Sequence, residues 1–217
     1  MAPTPLGDEQ FLNFNVPSFV YAGQPYTRIG VDSNGYLVVG GMTAADNVCC
    51  QPQLLPNPVR PNNVLAPYWS DLNGTGAPGL YAATLSGTGG QKWIVFEWRV
   101  FEYGKTQLKV FQTWIGLNGV QDITFNYDPS NMPGPTLSNP LAIGAENSDG
   151  SGGAHIDGPP TGDLEITSSP AVPGQSATYS LTVVGASQGV GQVTTTMISP
   201  AVPGQTVDVE NIRVNRK

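Results

Sequence analysis

Turn signals punctuate this chain from end to end, and between them apolar and polar residues alternate in twos. That combination leaves a fold built from strands. The 27 glycines and 20 prolines among 217 residues interrupt every stretch that might otherwise sustain a helical period. What lies between them is rich in Val, Ile, Thr, Tyr, Phe and Trp, the residues that suit a pleated, half-buried surface. A hydrophobic fraction of 39% and a charged fraction of only 12% argue for a packed core and against disorder. The reading is therefore all-β: an antiparallel sandwich, jelly-roll-like, of about ten to thirteen strands.

The punctuation also divides the chain. Phe11 to Phe14, Phe19 to Tyr21 and Tyr26 to Val31 read as strands, and Asp32-Ser33-Asn34-Gly35 turns the last of these into Tyr36 to Val39. Residues 41–63 carry Pro52, Pro56, Pro58 and Pro61 and read as a long irregular loop, a length that is often functional. Lys92 to Tyr103 and Thr106 to Ile115 read as a hairpin closed by Gly104-Lys105, and Asn118-Gly119 leads on to Asp122 to Tyr127. Leu141 to Glu146 is a further strand. Pro159-Pro160 marks a boundary, giving a sandwich over 1–158 and an extension over 159–217. The extension reads as a small four-stranded unit, in which Ser-Pro-Ala-Val-Pro-Gly-Gln occurs at 169–175 and again at 199–205.

Counting by twos along Lys92 to Tyr103 separates two faces. Ile94, Phe96, Trp98 and Val100 form a core face. Trp93, Glu97, Arg99 and Tyr103 lie on the other, a mixed face expected to be covered by a flanking segment or, failing that, to form a shallow groove. Trp93 and Tyr103, with Glu97 and Arg99, are the candidate binding residues, and core packing is the alternative use for the aromatic pair.

The chemistry available is narrow. There is one histidine, His155, and the two cysteines are neighbours, Cys49-Cys50. Adjacent cysteines cannot staple distant strands to one another. They are expected to form a vicinal disulfide, to pair with another chain, or to remain inert thiols. A zinc site needs four donors, more than two thiols and one distant histidine supply, so no metal and no cofactor are expected. Asp71 and Asn73, in Asp71-Leu-Asn-Gly-Thr75, have the spacing of a miniature calcium loop, yet Ala82 stands where an EF-hand needs its glutamate. A turn that bonds its own backbone is the simpler reading. A two-carboxylate glycosidase drawn from Glu97, Glu146 and Asp71 is the one enzyme class that the composition leaves open. A Ser-His-Asp hydrolase using His155 lacks its nucleophile elbow.

The net charge of -7 is spread without a basic block, which excludes nucleic acid as a partner. No apolar run approaches the roughly 20 residues of a membrane helix. Met1-Ala2-Pro3 reads as a start placed before a mature segment, and low lysine with abundant Thr, Ser, Asn and Gly suggests an extracellular protein.

Several segments, taken in order, resemble a known pattern. Tyr26 to Gly40 (YTRIGVDSNGYLVVG), Asn63 to Leu72 (NVLAPYWSDL), Val110 to Gly116 (VFQTWIG) and Ala142 to Asn147 (AIGAEN) look like the nidogen-type extracellular domain. The resemblance covers roughly residues 10–155 and is similar to the accessory β-domains that follow the catalytic domain in secreted bacterial subtilisin-like peptidases. It implies a non-catalytic module with no catalytic residue to carry over. The expected role is adhesion, substrate engagement or self-association, through a protein or glycan surface. The 41–63 loop and an exposed sheet edge such as Thr206 to Val214 are the expected contacts. A carbohydrate-binding module using the Trp93 face is the alternative.

Overall fold

The computed structural model describes residues 2–118, 122–131 and 140–168, with strands at 179–185, 189–197 and 206–214. In chain order the strands are β1 (Phe11–Tyr21), β2 (Gln24–Asp32), β3 (Leu37–Val39), β4 (Val64–Trp69), β5 (Leu72–Asn73), β6 (Gly79–Ser86), β7 (Lys92–Glu102) and β8 (Leu108–Gly116). They continue with β9 (Ile123–Tyr127), β10 (Ala142–Glu146), β11 (Gly153–Ile156), β12 (Gly162–Ser168), β13 (Tyr179–Gly185), β14 (Gly189–Met197) and β15 (Thr206–Val214). One sheet runs β1-β2-β3-β4-β10-β11. The other runs β13-β12-β9-β8-β7-β5, with β6 also paired to β7. The fold is an all-β antiparallel sandwich.

Its main core lies between the sheets. Ile29, Val31, Leu37, Val39 and Leu65 of the first sheet meet Ile94, Phe96, Trp98, Val100 and Phe111 of the second. These are the alternate positions that a period of two assigns to one face, and Trp98 stacks on Phe111 with ring centroids 5.1 Å apart. Trp98 Nε1 donates to the Asp32 carbonyl (2.9 Å), which satisfies the indole inside the core.

The first sheet is apolar on its outer face as well. Tyr36, Val38, Val64, Ala66, Trp69 and Ala142 point away from the sandwich interior and form a second buried cluster with Met42 and Leu55. The run Val64–Trp69 is buried at every position, the pattern of a strand covered on both sides. The cover is the 41–63 loop. It passes so close over β2 that a Cβ on Gly30 would lie 2.2 Å from Met42 Cγ.

Local details differ from the sequence expectations for identifiable reasons. The first two strand signals belong to one strand, β1, whose register with β2 shifts between Asn15 and Phe19, around Pro17. The β7–β8 register is the one a Gly104-Lys105 loop would set, but the ladder stops at Phe101↔Leu108. Gly104 adopts φ +71, Lys105 N–H bonds the Glu102 carbonyl, and Glu102 pairs with Leu72 of β5 on the other edge of β7. The four expected tail strands are all present. Two of them, β12 and β13, extend the second sheet through pairing with β9, while β14 and β15 pair with each other. Both copies of the tail repeat lie outside the described residues, and the Asn118-Gly119 turn does so from Gly119 onward.

If the loop is part of the core, neighbouring leucines within it should behave oppositely. Leu55 is 1% exposed and Leu54 is 70% exposed. Leu55→Ala should cost about 2–5 kcal/mol of unfolding free energy in urea denaturation. Leu54→Ala should cost about 0.5 kcal/mol or less.

Candidate functional site

Two surfaces have the chemistry for contact: the outer face of the second sheet and the apex of the 41–63 loop. On the sheet, register places Tyr81 opposite Glu97, Glu97 opposite Gln112 and Gln112 opposite Asn126, giving one polar side chain per strand. Asn126 Nδ2 donates to Asp163 Oδ2 (2.7 Å) and carries the row onto β12. Arg99 Nε donates to Glu97 Oε1 (2.5 Å), Gln112 Nε2 donates to Glu97 Oε2, and Trp114 Nε1 donates to Gln112 Oε1 (2.6 Å). The bond to Glu97 raises the Arg99 pKa, and the guanidinium lies over the Tyr81 ring, 4.9 Å from its centroid.

The sequence-derived residues Trp93, Glu97 and Arg99 therefore share one half-buried face, with Trp93 edge-on to Trp114 at 6.1 Å. Tyr103 sits beyond the end of β7 and is 53% exposed. The covering segment expected over this face is not found among the described residues, because these side chains shield one another across the strands. Gln112 escaped sequence reasoning, and register alone reveals it, since it sits opposite Glu97 on the neighbouring strand.

The loop is pinned along its length. Tyr36 hydroxyl donates to the Asp46 carbonyl (2.7 Å) and accepts from Val48 N–H (3.1 Å). Arg60 Nε and Nη2 bond both carboxylate oxygens of Asp46 (2.8 Å each), a two-point clasp across the loop. Asn57 N–H donates to Glu146 Oε2 (2.7 Å), and His155 Nδ1 to the Leu55 carbonyl (2.6 Å). Fixed in this way, the loop holds Leu54 and Val59 in solvent at 70% and 63% exposure.

The other candidates are distributed differently. The Asp32–Gly35 turn is buried, and Gly35 is required there: its φ is +80 and a Cβ would meet the Tyr68 carbonyl at 2.1 Å. Asn34 ties this turn to Leu72 N–H through Oδ1 (2.8 Å) and to the Glu9 carboxylate through Nδ2 (3.2 Å). Asn73 Oδ1 accepts from Thr75 N–H (2.6 Å), as a self-bonded turn does. Asp71 is raised by burial and by the charges of Asp8 and Glu102. Cys49 and Cys50 are joined as a vicinal disulfide.

Glu97 and Glu146, the carboxylates considered for glycoside hydrolysis, stand on different sheets. Glu97 is held by Arg99 and Gln112, and Glu146 is fully buried beneath the loop. The structure does not bring them together. Lys109 points into the interior, and its Nζ lies 3.8 Å from Glu102 Oε2. Its position two residues before Phe111 and four before Thr113, both buried, is the sequence signal that places it inward.

In comparison with known families, the family model described as "NIDO related" matches residues 5–195. No curated protein and no solved structure matches the chain. No helix among the described residues is long and apolar enough to cross a membrane.

Burial gives the loop anchor a pH dependence. Loss of water raises the Glu146 carboxyl from 4.5 to about 8, against the Asn57 N–H bond that favours its charge. Asp32 is raised from 3.8 to about 7, also chiefly by burial. A carboxyl raised on folding contributes stability that is complete below its unfolded pKa and is lost as pH rises through the folded value. Unfolding free energy should therefore fall between about pH 4.5 and about pH 8. Glu146→Gln should flatten that slope, as read by urea denaturation across this range.

Proposed function

This chain belongs to the NIDO-related family, and on that basis we propose that it is a non-catalytic extracellular module of a secreted or surface bacterial protein. Its work is adhesion, substrate engagement or self-association, in the manner of an accessory β-domain beside a secreted subtilisin-like peptidase. The observation that carries this reading is the loop, which is fastened at Asp46, Val48, Leu55 and Asn57 yet presents Leu54 and Val59 outward. A contact surface already held in its binding geometry loses little conformational entropy on association. Exposed apolar side chains on such a surface suit a protein partner, and a second copy of this chain is the partner tested first. Strand β15 pairs with β14 alone among the described strands, so an edge remains for strand addition as well.

A second reading rests on a separate observation. The outer face of the second sheet combines an edge-on tryptophan pair with a row of amide and carboxylate groups, the mixture that glycans use. Sedimentation over a wide concentration range and retention on immobilised glycans separate the two. The first reading expects concentration-dependent association that Leu54→Ser with Val59→Ser weakens about tenfold or more, a loss on the order of 1.4 kcal/mol. The second expects glycan retention that Trp93→Ala removes. A chain that stays monomeric contradicts self-association, and one retained by no glycan contradicts the second reading.

A further inference from the structure

Cys49 and Cys50 lie beside a third donor from a distant part of the chain. The Glu9 carboxylate stands 4.0 Å from Cys50 Sγ at Oε1, and one donor atom from each of the three residues falls within a common 4.8 Å. We propose that reduction of the Cys49–Cys50 disulfide creates a binding site for a thiophilic divalent cation of the zinc or cadmium class, with two thiolates and the Glu9 carboxylate as ligands. This goes beyond the contact role and is independent of it.

Backbone conformation, side-chain bonds, local charge and exposure support the assignment. Successive side chains of an extended segment point to opposite sides, which would part neighbouring thiols. Cys50 instead adopts φ +67, in the left-handed region, and its sulfur is joined to that of Cys49. Glu9 adopts φ +49, so two of the four non-glycine residues with positive φ among those described belong to this cluster. Backbone strain of this kind persists where the surroundings over-determine it, and it gathers at ligand sites.

The carboxylate is aimed by its neighbours. Asn34 Nδ2 bonds both of its oxygens (3.2 Å each), and Asn47 Nδ2 bonds the Glu9 carbonyl (2.8 Å). Asp8 and Asp71 add negative charge near Glu9, which favours a cation. Cys49 is exposed and open to a reductant.

A dithiol or phosphine reductant delivers two electrons, the S–S bond breaks, and two protons make two thiols. The cation then displaces those two protons and bonds both sulfurs and one Glu9 oxygen. Thiolate sulfur and carboxylate oxygen are both zinc donors, and three protein ligands leave a fourth position for water or another ligand.

The test titrates Zn2+ and Cd2+ into the full chain, before and after phosphine reduction. Thiolate-to-cadmium absorption and bound metal per chain are the readouts. The proposal expects one equivalent bound by the reduced chain and none by the oxidised chain. It also expects affinity to fall about tenfold or more in Glu9→Gln, and absorption to vanish in Cys50→Ser. Comparing the two redox forms of the unaltered chain does not depend on whether a variant folds. Equal uptake by both forms, no absorption after reduction, or a Glu9→Gln variant that folds and binds as well as the parent would overturn it.

Discussion

The first sheet cannot exist uncovered. Tyr36, Val38, Val64, Ala66, Trp69 and Ala142 turn a second apolar surface away from the sandwich, and an exposed face of that kind would seed association or collapse. The 41–63 loop closes this face, so a segment with no regular hydrogen-bond ladder becomes structural. Fully burying one medium or large apolar side chain contributes roughly 1.5–3 kcal/mol. Several side chains in this cluster depend on the loop for their burial. Its polar ties to Tyr36, Glu146 and His155 then choose a single path among the many that a proline-rich segment could take.

That constraint links architecture to role. The side-chain bonds along the loop fix the place of Leu54 and Val59, the two exposed apolar residues on which the proposed contact role rests. The opposite outer face is built otherwise, from mutually bonded Glu97, Arg99, Gln112 and Trp114, and needs no cover because its polar groups satisfy each other. The two exteriors of one sandwich thus solve the same problem differently, one by a lid and one by a polar network.

Much of this is legible in the sequence. The alternation through Ile94, Phe96, Trp98 and Val100 assigns the core face of β7, and the parity of Lys109 with Phe111 marks a lysine directed inward. Leu37-Val38-Val39 and Val64 to Trp69 are continuous apolar runs, the mark of strands covered on both sides, although nothing local names the covering segment. Proline spacing identifies 41–63 as a loop, and such a loop reads as mobile until its side-chain ties are known. Those ties join residues far apart in the chain, Asn57 to Glu146 and Asn47 to Glu9 among them, and no short-range pattern encodes such pairings. The long-range register that places Gln112 beside Glu97 is inaccessible for the same reason until strands are paired.

Native-state hydrogen exchange can follow the loop itself, because the amides of Val48 and Asn57 have side-chain acceptors on the sandwich. If the loop is an integral cover, these two amides exchange with opening free energies close to those of the central β4 and β8 amides, by global unfolding. Exchange at the rate of an open, solvated segment, while β4 and β8 stay protected, would show that the loop lifts freely and would contradict the account.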